Sequence, residues 1–380
     1  MLSLRVGAAL SETGIYALQG RQAREGLSLW VEETNAAGGL YVPDLRRALP
    51  LELILYDDHS RRAEVAPLIE RLIRRDRVNF LIGPYSSGLA RAAAAVAEAH
   101  AKPMWNHGGS SDAIMQQGWH WLINIPTPAS RYFAGLFACL AGRLSSGDRV
   151  AIVQRQRSAF AAEVAAGTRQ QAVRAGLSPL PALFYPESQA DMPALARQLM
   201  VAQAAIIVGV GRYPDDVGLV RALADLRFDA QGLAVVATPM QAFRRGLRQA
   251  SERWIGPSQW EPESQVVPDV GPTSAAFVER YRQHFGDPPD YPAAQAYAAG
   301  VLLERCVTVA GTCRDGDVQQ CARELVCRTF YGQFQLDPES GAQIGHETIL
   351  IQWQAGIKRL IWPPDMAQAA PLKPRSRGHP

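Results

Sequence analysis

Leu81-Ile-Gly-Pro-Tyr-Ser-Ser-Gly88, followed by Trp105-Asn-His-Gly-Gly-Ser-Ser-Asp112, decides how this chain is read. Each stretch runs from an apolar strand into small hydroxyl-bearing residues and then into a helix. Free N–H groups at a helix start, with serine hydroxyls beside them, converge on one spot that suits a small anion, most simply a carboxylate. Ser86 or Ser87 reads as the N-cap of a helix beginning near Leu89. Ser110 or Ser111 reads as the cap of the next, with Asp112 favourable in its first turn. Helix capping alone would explain these serines, but two such caps at the ends of adjacent strands favour binding.

Working outward, short β-branched runs alternate with helical runs whose apolar residues recur every three or four positions, the pattern of parallel α/β layers. Strand Leu4–Leu10 leads to a helix over about Gly20–Ala36 that stops at Gly38-Gly39. Strand Leu51–Tyr56, helix Arg62–Arg75, strand Phe80–Ile82, helix Leu89–His100, strand Pro103–Asn106 and a short helix at Ser111–Gln117 complete a first series. The second comprises helix Ser130–Leu144, strand Val150–Gln154, helix Ala159–Ala175, strand Ala182–Tyr185, helix Met192–Ala202, strand Ala205–Val210, helix Asp215–Leu226 and strand Leu233–Ala237. A third portion holds helices Thr273–Phe285, Ala293–Ala310 and Val318–Arg328, then a strand pair, Gln333–Leu336 with Thr348–Trp353, and a closing run Arg359–Trp362.

The chain has 380 residues, 47% hydrophobic and 20% charged, so it is globular and long enough for two or three domains. The 39 basic and 36 acidic residues are interspersed except at the C-terminal Lys373-Pro-Arg-Ser-Arg-Gly-His-Pro380, and no RNA- or DNA-binding motif accompanies them. A nucleic-acid partner is therefore not expected. No stretch approaches the roughly 20 apolar residues of a membrane span, and the chain opens almost directly into a strand without a secretory leader. Cys306, Cys313, Cys321 and Cys327 fall in one short region, but their spacing is not that of a zinc site and no histidine sits among them. Buried free thiols, or a disulfide between two packed helices, remain the alternatives; Cys139 reads as a buried thiol.

The chain resembles the type I periplasmic binding proteins, in particular the branched-chain amino-acid and amide group of ABC-transporter substrate-binding proteins. The matching pieces are Ala9-Leu-Ser-Glu-Thr-Gly14 with Gly20-Arg-Gln-Ala-Arg-Glu-Gly26, Asn35-Ala-Ala-Gly-Gly39, Tyr56-Asp-Asp58, both serine segments, Thr127-Pro-Ala-Ser-Arg131, Gly345-His-Glu347, Gln352-Trp-Gln-Ala-Gly356 and Trp362-Pro-Pro364. The resemblance implies an α/β fold of two doubly wound lobes joined by three hinge crossings, with a ligand cleft between them. One lobe would combine 1–123 with 255–329 and the other 124–254 with 330–364, leaving 365–380 as a loose tail. It also implies a small-molecule ligand (an amino acid, amide or organic acid), a permease partner in the inner membrane, a monomer without cofactor or metal, and a periplasmic location. A cytoplasmic amide-type sensor of the same fold is the alternative, suggested by the missing leader.

Carried over residue by residue, the resemblance assigns the ligand carboxylate to Ser87, Gly108 and Ser110, with Ser86, Asn106 and Gly109 adjacent. An aromatic or polar contact falls at Tyr16 to Gln19, another aromatic at Tyr213, and Phe160 stands where the family has a tyrosine. The acidic residue that grips a ligand ammonium in those relatives is absent; Thr238-Pro-Met240 occupies its place. An unpaired buried ammonium is costly, so the expected ligand bears a carboxylate or amide and no obligatory ammonium. Asp215 or Asp216 could substitute, although both also read as caps of the following helix. Catalysis is not expected. Gly-Pro-Tyr-Ser-Ser-Gly is not a nucleophile elbow, and Gly209-Val-Gly211 lacks the third glycine of a dinucleotide loop because Pro214 stands there.

Overall fold

In strand β1 (Leu4–Leu10), Leu4, Val6, Ala8 and Leu10 enter one apolar cluster and Ala9 another. The period of two thus buries both faces of the strand, as a parallel sheet sandwiched between helices requires. Helix α1 (Ala17–Ala36) follows and ends at Gly38 and Gly39, both at φ near +100°. A hairpin of β2 (Leu40–Val42) and β3 (Arg47–Leu49) precedes β4 (Leu51–Asp57), α2 (Arg62–Arg74), β5 (Phe80–Ile82), α3 (Ser87–Ala99), β6 (Met104–Asn106), α4 (Asp112–Met115) and β7 (Leu122–Asn124). The five main strands form a parallel sheet in the order β4-β1-β5-β6-β7. This is a doubly wound order, and it reverses direction between β1 and β5.

The same construction recurs further along. Helix α5 (Leu136–Leu140), β8 (Arg149–Gln154), α6 (Ala159–Arg174), β9 (Ser178–Pro179), β10 (Leu183–Phe184), α7 (Met192–Val201), β11 (Ile206–Val210), α8 (Tyr213–Asp225), β12 (Gly232–Val235), α9 (Gln241–Leu247) and β13 (Trp254–Ser258) build a second sheet. Helices α10 (Ser274–Phe285), α11 (Tyr291–Ala310) and α12 (Asp315–Glu324), with a hairpin of β14 (Cys327–Thr329) and β15 (Gly332–Phe334), come next. Finally β16 (Ile349–Gln354) and β17 (Ile357–Trp362) extend the second sheet on its antiparallel side, giving β10-β8-β11-β12-β13-β16-β17 with β9 beside β8.

This computed structural model describes residues 3–373 and divides into two units. One runs to Pro128 and resumes over Gln259–Glu347; the other comprises Ala129–Ser258 and the chain from Thr348 onward. In the first unit α11 lies against α1 so closely that a Cβ on Gly26 would stand 2.1 Å from the Ala293 carbonyl oxygen, and one on Gly300 would enter the Trp30 ring. Those two positions admit only glycine.

Several expectations are corrected. The helix expected over 130–144 is broken into short 3-10 turns around α5; a Cβ on Gly135 would meet the Trp362 indole at 2.1 Å, so glycine is held there for a close approach. The helix expected over 318–328 runs instead from Asp315 to Glu324, because Asp269 draws Arg328 into the β14 strand through its N–H and guanidinium. Gly332–Phe334 pairs with β14, not with the strand near 349. Phe330, Tyr331, Phe334 and Leu336, assigned from sequence to the second lobe, pack in the core of the first unit, where Phe330 meets Phe277 at 4.6 Å between ring centroids. Of the supposed tail, residues 374–380 lie outside the described residues; before them, the Gln368 N–H donates to the Leu360 carbonyl and the Leu372 N–H to Gln352 Oε1.

Candidate functional site

Loops that leave the strands on either side of a reversal in strand order border a natural crevice. In the first unit those are the loop after β1 and the loop after β5. The first is held by two carboxylates at the end of β4. Asp57 accepts N–H groups from Glu12 (3.0 Å), Thr13 (3.4 Å) and His59 (2.8 Å) and the Thr13 hydroxyl (2.8 Å). Burial would raise its pKa, but these hydrogen bonds prevail and hold it below the usual carboxylate value. Asp58 accepts the Ser11 hydroxyl at 2.6 Å, and burial pushes its pKa up. The loop delivers Tyr16, whose ring lies 6.2 Å from that of Tyr85. Gln19, one turn on, is buried, and its Oε1 has no hydrogen-bond partner.

The two serine segments are stitched together. Gly83 N–H donates to the Trp105 carbonyl (2.9 Å), Ser86 N–H to the Gly108 carbonyl (3.2 Å), and Ser111 N–H to Ser87 Oγ (3.1 Å). Gly108 permits this: a Cβ there would stand 2.6 Å from the Tyr85 Cα. Asn106 is fully buried and shapes the second turn. Its Nδ2 donates to the Gly109 carbonyl (2.7 Å) and Asn124 Oδ1 (2.8 Å), while its Oδ1 accepts the Gly109 N–H (2.8 Å). Asn106 and the Gly109 N–H are thus occupied within the protein, in a positioning role.

Ser86 caps α3 by accepting the Leu89 N–H at 3.4 Å and does so at φ 86°, a conformation that favours glycine. Among the described residues no acceptor meets the N–H of Ser87 or Gly88, and a Cβ on Gly88 would touch nothing within 4 Å. Ser87 Oγ accepts from Ser111, which leaves its own O–H available to donate. The start of this 13-residue helix therefore offers two amides and a hydroxyl to open space. Ser110 is 5% exposed and already has a partner in the protein. Tyr85, whose hydroxyl lies 2.5 Å from that of Tyr291, adds an aromatic wall that the capping argument did not single out, although it stands inside the quoted segment.

His107 sits between these groups, fully buried, with neither ring nitrogen in a hydrogen bond. Burial lowers its pKa to about 4, against a weak opposing effect of the Gly83 backbone.

In the second unit the order reverses between β8 and β11, and the loops there carry Phe160 and Tyr213. Phe160, in the first turn of α6 behind the Ser158 cap, packs edge-on to Tyr132 at 5.1 Å. Tyr213 opens α8, its hydroxyl lying near Gly246 of α9. Met240 is buried at the start of α9. Just before it, the Thr238 carbonyl accepts from Trp353 Nε1 (2.9 Å) and the Pro239 carbonyl from Lys358 Nζ (2.7 Å). Arg155 reaches Glu187 (2.7 Å) and Asp215 (3.4 Å). Asp215 also accepts the Arg212 N–H at 2.9 Å as a helix cap. Asp216 is fully buried and accepts from Tyr185 Oη (2.7 Å) and the N–H groups of Gly211 (3.0 Å) and Ala237 (2.9 Å). Burial raises its pKa to about 7 in spite of those donors. It ties three strand ends together.

Two doubly wound sheets, one of them ending in an open helix start, define a solute-binding fold of the two-lobe type. The periplasmic binding protein family is matched over residues 3–358, and the chain belongs to that family. Among curated relatives, the Leu/Ile/Val-binding protein homolog 7 of Brucella abortus is 24% identical over 326 residues, covering 81% of this chain and 78% of the relative. Among solved structures, a branched-chain amino-acid transporter substrate-binding protein from Streptococcus pneumoniae, in complex with isoleucine, superposes with a TM-score of 0.80 at 19% identity, covering 95% of this chain and 100% of the other. A solute-binding protein of an ABC transporter from R. palustris, in complex with benzoate, gives a TM-score of 0.78 at 17% identity, with 95% and 97% covered. At these identities the two structures speak for the fold. Family members are solute-binding proteins rather than enzymes.

Proposed function

We propose that this chain is the substrate-binding protein of a branched-chain amino-acid/amide-type ABC importer. It works as a periplasmic monomer that takes up a small carboxylate- or amide-bearing solute, closes on it by hinge motion and delivers it to a permease in the inner membrane. The observation that carries this reading is the open start of α3, where the N–H groups of Ser87 and Gly88 and the Ser87 hydroxyl meet no acceptor among the described residues. A carboxylate placed there would gain charge-assisted hydrogen bonds and the favourable end of the helix dipole. Tyr16, Tyr85 and Tyr291 would flank the body of the ligand. The names of the relatives and the isoleucine and benzoate held by the two solved structures support a small acid as cargo.

The second unit narrows the choice. Asp215 is engaged by Arg155 and its own helix, Asp216 is sealed, and no acid stands at 238–240. We therefore favour an organic acid or amide over an α-amino acid. The test is a thermal-shift screen followed by calorimetry with benzoate, other aromatic and aliphatic acids, their amides, leucine and isoleucine. Stabilisation by acids or amides supports the proposal. Tight binding of leucine with none of acids or amides would overturn the ligand class, and no stabilisation by any of them would overturn the site.

A further inference from the structure

Four cysteines lie in the first unit, outside the candidate site. All five cysteines of the chain are free thiols in the structure. Cys306 projects from α11 into the core with no exposure, and Cys321 projects from α12 at its edge. Both belong to one packed region, Cys306 inside the apolar cluster and Cys321 against it, and the two thiols lie close enough to shift each other's ionisation, with Cys321 also near the backbone of Ala310, one turn beyond Cys306 on α11. The helical hairpin that brings them together is fixed independently. Gly311 reverses the chain at φ 77°, Lys102 Nζ holds Asp315 at 2.9 Å, and Gln319 Nε2 donates to the His120 carbonyl at 2.7 Å. Among the described residues no group of three or more metal-binding side chains is placed to hold an ion, so the juxtaposition is one of thiols alone.

We propose that Cys306 and Cys321 form a redox pair that closes into an intramolecular disulfide between α11 and α12 when the protein meets a disulfide oxidant. Cys321 is the attacking group: it is the partly exposed member, and its contact with Cys306 lowers its pKa against the effect of burial. Its thiolate attacks one sulfur of the external disulfide, forming a mixed disulfide and releasing one thiolate. The Cys306 sulfur then attacks Cys321 Sγ, expels the second thiolate and gives up its proton to it. Two protein thiols are oxidised and one external disulfide is reduced to two thiols. Cys313 and Cys327 are poor attacking groups, since burial pushes each thiol up to about 11; Cys306, also raised by burial, acts only as the second thiol, on a disulfide already formed at Cys321. An oxidising compartment would supply the oxidant, and the proposal does not depend on which ligand is bound.

The experiment is disulfide mapping of the full chain after exposure to oxidised glutathione, with alkylation under denaturing conditions before tryptic digestion. Cys306 falls in the peptide 306–314, Cys321 in 315–323 and Cys327 in 324–328. The expected product is 306–314 linked to 315–323, cleaved by reductant, retained in Cys313→Ser and lost in Cys306→Ala. Closing a loop of about 15 residues should raise the first unit's Tm by about 5–10 °C over the reduced form. Five alkylated thiols after oxidation, a link to 324–328, a link that vanishes in Cys313→Ser, or an unchanged Tm would each overturn the proposal. The wild-type map stands even if the Cys306 variant fails to fold.

Discussion

Replacing His107 by leucine tests the physical account of the serine turn most directly. His107 is fully buried with both ring nitrogens unbonded, and burial holds its pKa at about 4. In the unfolded chain the imidazole takes up a proton below about pH 6.5. The folded pKa is the lower one, so the stability associated with neutral His107 is complete above about 6.5 and is lost as pH falls toward about 4. The ceiling is about 1.36 kcal/mol for each of roughly 2.5 pH units, or about 3.4 kcal/mol, and about 2.5 kcal/mol of it is gone by about pH 4.5. Asp216 in the second unit acts in the opposite sense. Its pKa is raised to about 7, so its stability contribution is complete at low pH and is lost as pH rises, by about 3 kcal/mol between about pH 4.5 and about pH 7.5. The wild-type curve mixes the two, and the difference between wild type and His107→Leu isolates the first. Leucine removes two buried polar atoms whose one polar neighbour is the Gly83 backbone, too poorly placed for a regular hydrogen bond, so the variant should be at least as stable as wild type near neutrality. Urea unfolding followed by fluorescence should then show it gaining about 2.5 kcal/mol on wild type at about pH 4.5. A wild-type-to-variant gap that stays constant within about 1 kcal/mol across this range would refute the reasoning.

Three further outcomes are expected. Gly88→Ala should leave the fold intact or slightly more stable, because a Cβ there meets nothing within 4 Å, yet calorimetry should record at least about tenfold weaker binding of an organic acid as the methyl crowds the helix start; unchanged affinity would move the ligand elsewhere. Asn106→Ala leaves both Gly109 backbone groups and Asn124 Oδ1 short of a partner and should cost about 3 kcal/mol in chemical unfolding; a loss below about 1 kcal/mol would show that water replaces the amide. Asp216→Asn cannot ionise, so measured against wild type it should gain about 3 kcal/mol between about pH 4.5 and about pH 7.5, whatever constant cost its NH2 incurs by facing one of the three donors; a gap between variant and wild type that stays constant over this range in chemical unfolding would mean that the donors hold the carboxylate ionised.

Strands with continuous apolar runs, such as Val6–Leu10 within β1 and Phe80–Ile82, were legible because a parallel strand buried on both faces favours such a run. The helix start at Ser86 was legible from its hydroxyl. What the sequence hid was decided by distant partners. Nothing local shows that Gly135 faces Trp362, so the helix over 130–144 looked continuous. Nothing near Arg328 shows that Asp269 will pull it into a strand. In the site, the serines and glycines were readable as turn chemistry, but Asn106 read as a strand end. Its role depends on Asn124, itself held by the Gly341 carbonyl at 2.9 Å from another part of the chain.

The charges of the second unit bear on the proposed cargo more than their number suggests. Four acceptors there have the chemistry to meet an ammonium: Asp215, Asp216 and the carbonyls of Thr238 and Pro239. Each is already engaged, by Arg155 and the Arg212 N–H, by three buried donors, by the Trp353 indole and by the Lys358 ammonium respectively. An ammonium would have to share an acceptor with a donor already in place, which weakens the charge-assisted bond it can gain. An α-amino acid would therefore bring an ammonium whose solvation is only partly replaced, whereas benzoate-like acids and amides bring none. The open start of α3 would serve either ligand's carboxylate equally, so the ammonium alone distinguishes the two classes.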